Sequence, residues 1–237
     1  MTGAGLKSRA SRRSAPPHAW WLHLAWVLGG AVLGMGVAAV LGGIFRLPRS
    51  LYLVPYTLLT GAYLYGCMRW SELDLGKLIR YHWARGLIGG AVVSIFSVWT
   101  VLHQPSSPAA QGFELIFDLF WLGIVYGTVD GLLLSVLPVF AIWQALAELG
   151  WTKRWSGRAL VGLLTLAGSS VVVAVYHLGY PEFRGLQVIF PVVGVGVMSL
   201  AYLVTGNPLS AVISHVAMHM AAVLHGLESV LQLPPHG

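Results

Sequence analysis

Charged residues are scarce in this sequence. Only 9% of its 237 residues are Asp, Glu, Lys or Arg, whereas soluble domains carry roughly a quarter. This scarcity, together with a mean hydropathy of +0.74, excludes an ordinary soluble enzyme and a disordered chain. The single cysteine, Cys67, cannot form an internal disulfide, which excludes a disulfide-stapled secreted module. The chain is therefore predicted to reside in a membrane.

Long apolar runs fill most of the chain, since Ala, Val, Ile, Leu, Met, Phe, Trp, Tyr and Cys make up 57% of it. They form seven segments, each close to the roughly 20 residues that cross a bilayer as a helix. The segments cover residues 20–44, 51–68, 86–102, 113–138, 159–178, 186–205 and 208–231. The predicted fold is an all-α integral membrane protein with about seven transmembrane helices.

The sequence changes character at both ends of this apolar region. Residues 1–19 are basic, small and Pro-containing, which predicts a disordered cytoplasmic arm. The apolar run that follows is too long for the hydrophobic part of a signal peptide. The predicted parts are the arm 1–19, three N-terminal transmembrane helices in 20–112, a four-helix membrane core in 113–231 and a tail in 232–237.

Lys and Arg are unevenly divided between the two sides of the predicted bundle. With the N-terminus inside, eleven lie on the inner side and only three on the outer side. Because cytoplasmic loops carry an excess of Lys and Arg, we predict a cell-membrane protein with its N-terminus cytoplasmic and its C-terminus outside. Residues 139–157 are predicted to extend past the inner membrane face. The expected partners are the lipid bilayer and a further membrane protein, and no nucleic acid.

Small and aromatic residues occupy positions that are typical of membrane helices. Gly123, Gly127 and Gly131 recur every four residues, and Gly30 with Gly34 repeats this spacing, which predicts packing seams between helices. Trp and Tyr residues collect near segment ends, as in an interfacial aromatic belt. The predicted belt residues are Trp20, Trp21, Tyr52, Trp70, Tyr81, Trp83, Trp151, Trp155, Tyr176 and Tyr180.

Ionisable side chains inside the apolar segments are few, and each costs about 2.5–3.5 kcal/mol at mid-helix unless it is paired or solvated. Asp130 lies deep in the fourth segment and needs a partner. His215 and His219 are four residues apart, so both project from one helix face, as two metal ligands or two members of a proton relay would. Hydrogen-bonded packing is the alternative. Glu114 and Asp118 lie nearer the water boundary and are interpreted as a solvated helix end.

The basic loop between the fourth and fifth segments relates two of these residues in depth. Asp130 and His177 each lie about 23 residues from its centre, so in an antiparallel hairpin they come level. The last helix reaches the same depth only if residues 139–157 project beyond the membrane. We therefore expect Asp130, His177, His215 and His219 to converge on one polar site.

Three stretches of the second half carry a family resemblance. They are GTVDGLLLS, VVVAVYHLG and GVGVMSLAYLVTGNPLSAVISHVAMH, the last with Asn207 before Pro208 as the expected helix N-cap. Together they resemble the CPBP family of polytopic CAAX-prenyl endopeptidases and bacteriocin-processing proteins. The resemblance covers roughly 115–225 and implies a CPBP-like helical bundle in the C-terminal half. It places Asp130 at the second Glu of the family's Glu-Glu-x-x-x-Arg motif, and it aligns the three histidines with the later motif positions.

Two residues depart from the family pattern. Val129 stands at the position of the first Glu and Leu134 at that of the Arg, and Val129 cannot act as a general base. The resemblance thus implies an intramembrane protease homologue with an altered or lost catalytic site, working as a membrane binding or accessory protein. The alternative is an active metal-assisted hydrolase. Its catalytic and metal-ligating residues would be Asp130 and the three histidines, a set that Zn²⁺ accepts.

Overall fold

The computed structural model describes residues 20–226 and 232–233, and this part of the chain folds into helices without a strand. The predicted arm 1–19 and most of the predicted tail lie outside the described residues, as do residues 227–231 of the last predicted segment. The helices are α1 (Trp20–Ile44), α2 (Arg49–Trp70), α3 (Leu75–Arg80), α4 (Trp83–Leu102), α5 (Gly112–Glu148), α6 (Trp155–Leu178), α7 (Leu186–Thr205) and α8 (Leu209–His225).

Five of these helices are long and apolar enough to cross a membrane, namely α1, α4, α5, α6 and α7. The chain is therefore a helical membrane protein. Helix α8 is apolar but shorter, and α2 contains Pro55 and several polar side chains. The count of seven spans stays a prediction. Helix α5 has 37 residues, a length of about 55 Å, which exceeds the ~30 Å of a bilayer core.

The glycine seams do bring helices together, as predicted. A Cβ atom added to Gly127 would lie 2.9 Å from the Val216 Cα and 3.2 Å from the His219 ring, so α5 and α8 pack with almost no gap. Gly123 and Gly131 meet α8 in the same way, which makes the two helices antiparallel. On α1, Gly30 and Gly34 pack against side chains of α5 and α6.

Helix α5 is not uniform around its centre. The turns Leu119–Tyr126 and Leu132–Val136 are π-helical, and a short α-helical stretch, Gly127–Gly131, separates them. Widened turns of this kind occur often at functional sites. The Leu134 carbonyl accepts a hydrogen bond from the Ser169 hydroxyl at 3.0 Å, which ties this region to α6. Asp130 thus lies between two widened turns.

The start of α8 is fixed by Asn207, as the sequence predicted. Its side-chain oxygen accepts a hydrogen bond from the Leu209 N–H at 2.9 Å, which is the N-cap interaction. Its amide donates to the carbonyls of Ile79 and Tyr81 at the end of α3, at 2.8 Å for Ile79. One fully buried side chain therefore begins α8 and also holds α3 in place.

Candidate functional site: a buried Asp-His-Tyr cluster

Asp130 is the centre of a polar cluster inside the helical bundle. Its side chain is 4% exposed. Tyr56 of α2 donates a hydrogen bond to Oδ1 at 3.0 Å, and Nε2 of His219 lies 3.5 Å from Oδ2. The carboxylate therefore faces one partner from α2 and one from α8, and it joins three helices. The partner predicted for Asp130 from its depth is present.

His215 lies one turn before His219 on the same face of α8, and the two ring centres are 6.4 Å apart. The His215 Nδ1 is 3.0 Å from the Ala211 carbonyl. Because a carbonyl only accepts, Nδ1 carries a proton, and in the neutral ring Nε2 keeps its lone pair. Within the described residues, this Nε2 and both ring nitrogens of His219 are buried without a hydrogen-bond partner. The Nε2 of His219 faces Asp130 at ion-pair distance. His215 and His219 therefore do lie on one face of α8, as the four-residue spacing predicted.

His177 lies at the edge of the cluster. It is half-buried, its Nδ1 donates to the Val173 carbonyl at 2.8 Å, and its ring contacts Tyr176 and Phe183. It is near enough to Asp130 to interact with it electrostatically. The hairpin of α5 and α6 does bring Asp130 and His177 to a similar depth. However, Tyr176 is the α6 residue that joins the cluster by hydrogen bonds.

A chain of tyrosine hydroxyls extends the cluster. Tyr126 OH is 3.2 Å from Tyr176 OH, which is 3.0 Å from Tyr180 OH, and Tyr180 in turn bonds to Tyr52. All four side chains are buried. The Tyr126 ring also packs on His219, with 4.7 Å between ring centres. The chain therefore connects helices α2, α5 and α6 next to the Asp130 carboxylate.

These contacts correct the predicted aromatic belt. Tyr52, Tyr176 and Tyr180 are interior hydrogen-bonding residues and not interfacial anchors, because their hydroxyls find partners on neighbouring helices. The sequence carries a signal that the prediction did not use. Two pairs at four-residue spacing place polar groups on one helix face, and they are Tyr52 with Tyr56 and Tyr126 with Asp130. Tyr180 follows Tyr176 at the same spacing but lies just beyond the end of α6. Exposed belt positions in the structure include Trp21, Tyr81, Trp83, Trp151 and Trp155.

The prediction of a solvated helix end is half wrong. Glu114 is exposed, but Asp118 is only 5% exposed. Asp118 turns inward at the start of α5, where it interacts electrostatically with Arg49 at the start of α2. Next to it, the Trp121 indole donates to the Ser50 carbonyl at 3.2 Å. The attraction of Arg49 offsets part of the cost of burying this carboxylate, and the nearby Glu114 adds to that cost.

A zinc site would need Asp130 and the three histidines to be grouped around one point. Among residues 20–226 and 232–233, no group of three or more His, Cys, Asp or Glu side chains is arranged to hold a metal ion. One oxygen of Asp130 accepts a hydrogen bond from Tyr56 at 3.0 Å and therefore faces a hydroxyl group. Binding of Zn²⁺ by Asp130 and the three histidines stays a prediction.

The two positions that depart from the family pattern belong to the apolar core. Leu134 is fully buried and Val129 packs against the main hydrophobic cluster. Comparison of the chain with known protein families, curated proteins and solved structures gave no match. The resemblance to the CPBP family therefore depends on the three quoted stretches alone.

Proposed function

We propose that this chain is a non-catalytic membrane protein of CPBP-like design, which binds or supports another membrane protein. In this proposal, the positions of a hydrolytic site have become an interhelical polar cluster that stabilises the bundle. The observation that carries the proposal is the state of Asp130. Both of its oxygens face protein partners, Tyr56 and His219, and the side chain is almost completely buried.

Hydrolysis of a peptide bond needs groups that the two altered motif positions do not offer. A general base must reach the attacking water, and a donor must stabilise the oxyanion, for factors of roughly 10²–10⁴ and 10²–10³ in rate. Val129 and Leu134 provide neither a base nor a cation, and both lie in the core. Asp130 is already engaged by a hydroxyl and an imidazole. These contacts of the Asp130 carboxylate favour a role in holding helices together over a role in taking a proton from water.

One observation favours the catalytic alternative, an intramembrane hydrolase that uses Asp130 and the histidines. The Nε2 of His215 is buried with its lone pair unused in the described part of the chain. Such a nitrogen is a base that could accept a proton from water. A purely structural role of His215 does not use its Nε2, whereas hydrolysis would use it as a base.

The test is a peptide-cleavage assay on the full chain in proteoliposomes, with and without a metal chelator. The variants are Asp130→Ala and, as a control, Glu72→Ala, whose carboxylate is exposed. We expect every sample to match protein-free liposomes, while an active intramembrane protease in the same liposomes shows that the assay works. Cleavage by wild type and Glu72→Ala that is lost in Asp130→Ala contradicts the proposal, and loss on chelation identifies the metal-assisted alternative.

A further inference from the structure

Helix α3 is short and is not held by the hydrophobic core, because none of its six residues is buried. Its apolar residues Leu75, Leu78 and Ile79 are spaced so that they share one side of the helix. Lys77 and Arg80 fall on the opposite side and are exposed. Protein covers the apolar side only in part, since Leu75 is exposed and Leu78 and Ile79 are half-buried. Helix α3 is therefore amphipathic, and its apolar face is partly exposed.

The position of α3 is nevertheless fixed. At its start, the Asp74 side chain accepts a hydrogen bond from the Lys77 N–H at 3.0 Å, and this bond holds the pKa of that carboxyl below its ordinary value. At its end, the buried Asn207 amide donates to the carbonyls of Ile79 and Tyr81. These contacts hold α3 at the end of the bundle where α2 ends and α4 begins. Exposed Tyr81 and Trp83 follow it directly, and aromatic residues of this kind favour the headgroup level.

The end of the bundle that carries α3 is strongly basic. His23 at the start of α1 is 3.1 Å from Glu148 at the end of α5 and packs on Trp70 at the end of α2, so these helix ends share one side. In the described part of the chain, seven basic side chains lie here against three acidic ones. The basic ones are Arg69, Lys77, Arg80, Arg85, Lys153, Arg154 and Arg158, and the acidic ones are Glu72, Asp74 and Glu148.

We propose that α3 lies in the headgroup layer of the membrane and that Lys77, Arg80 and Arg85 bind the phosphate groups of anionic lipids. The apolar side of α3 would face the acyl boundary, as in other interfacial helices. The opposite basic side would face the anionic headgroups, which attract Lys and Arg near the surface. Lys77 also pairs with Asp74 at 3.2 Å, but both side chains are largely exposed. Such a pair is weak and leaves the ammonium group accessible.

The partner is a lipid and not a soluble anion, because charge and apolar surface occur together. A free phosphate would use only Lys77, Arg80 and Arg85. It would leave the exposed surface of Leu75, Leu78, Ile79, Tyr81 and Trp83 uncovered. An anionic glycerophospholipid satisfies both sides of the helix at once.

The experiment measures binding of dansyl-labelled phosphatidylglycerol to the full chain in neutral detergent micelles, by energy transfer from the protein's tryptophans. The variant is Lys77→Gln with Arg80→Gln, and the matched control is Lys153→Gln with Arg154→Gln, which removes the same charge from the same end. Thermal unfolding of each protein checks that the fold is kept. Unlabelled phosphatidylglycerol, phosphatidylcholine and inorganic phosphate serve as competitors.

We expect the α3 variant to bind phosphatidylglycerol at least about fivefold more weakly, an effect of the size expected for one or more charges at a membrane surface. The control should stay within about twofold of wild type, and only phosphatidylglycerol should compete well. If both variants bound phosphatidylglycerol equally weakly, the total charge of this end of the bundle would explain binding and α3 would have no specific role. Unchanged binding in the α3 variant, or competition by inorganic phosphate at equal concentration, also overturns the proposal.

Discussion

Tyr56 provides the simplest test of the cluster at the scale of one residue. Its hydroxyl donates to Asp130 from inside the bundle, whereas Tyr65 on the same helix is exposed. We expect Tyr56→Phe to lower the free energy of unfolding by about 0.6–2 kcal/mol, the range for interhelical hydrogen bonds in membranes. Tyr65→Phe should change it by less than about 0.5 kcal/mol. Equal effects of the two substitutions on unfolding in detergent would show that the hydroxyl contributes nothing.

The sequence predicts some members of the cluster and misses others for a physical reason. The cost of burying a carboxylate points to Asp130, and four-residue spacing places His215 and His219 on one face. The choice between His177 and Tyr176 depends on a rotation of about 100° around α6, which only the packing of α6 against its neighbours decides. The tyrosines are ambiguous because the same side chain suits an interface and a buried hydrogen bond.

At the scale of helices, the contact between α5 and α8 depends on Gly127. A methyl group there would press on the backbone of Val216, which cannot move aside as a flexible side chain can. We expect Gly127→Ala to destabilise the protein by about 1–3 kcal/mol, as overpacking does. The control is Gly194→Ala on α7, where an added Cβ meets nothing within 4 Å.

The measurement for this pair of variants is thermal unfolding in detergent. Gly194→Ala should match the wild type or exceed it slightly, since alanine favours helix more than glycine does. If Gly127→Ala were as stable as Gly194→Ala, the close approach of α5 and α8 would be wrong.

Helix positions follow well from hydropathy, but helix ends and widened turns do not. The fourth predicted segment ends at residue 138, whereas α5 continues to Glu148. The prediction ended the membrane segment at Pro138 and let residues 139–157 project past the membrane face, because a helix can continue past such a boundary into water. The π-helical turns on either side of Asp130 leave no mark on the apolar periodicity of the sequence.

At the scale of the whole molecule, the orientation in the membrane stays a prediction from the basic residues. In the structure, α4 runs parallel to α8 and both run antiparallel to α5, an alternation that fits either orientation. Exposed Ser106 follows α4, and exposed Ser156 lies at the start of α6. In a chain with Cys67→Ala, we expect Ser106→Cys to react with an impermeant maleimide on intact cells and Ser156→Cys to react only after lysis. The reverse labelling pattern would show that the chain has the opposite orientation in the membrane.

The central claim is that the buried cluster works as a unit that holds the bundle together. The measurement that tests it most directly is a double-mutant cycle of unfolding free energies for Asp130→Asn and His219→Gln. We predict a coupling energy of about 0.5–3 kcal/mol between the two residues. A parallel cycle of Asp130→Asn with Tyr202→Phe, a buried tyrosine of the smaller hydrophobic cluster, should be additive within about 0.5 kcal/mol. A coupling near zero between Asp130 and His219 would contradict the account.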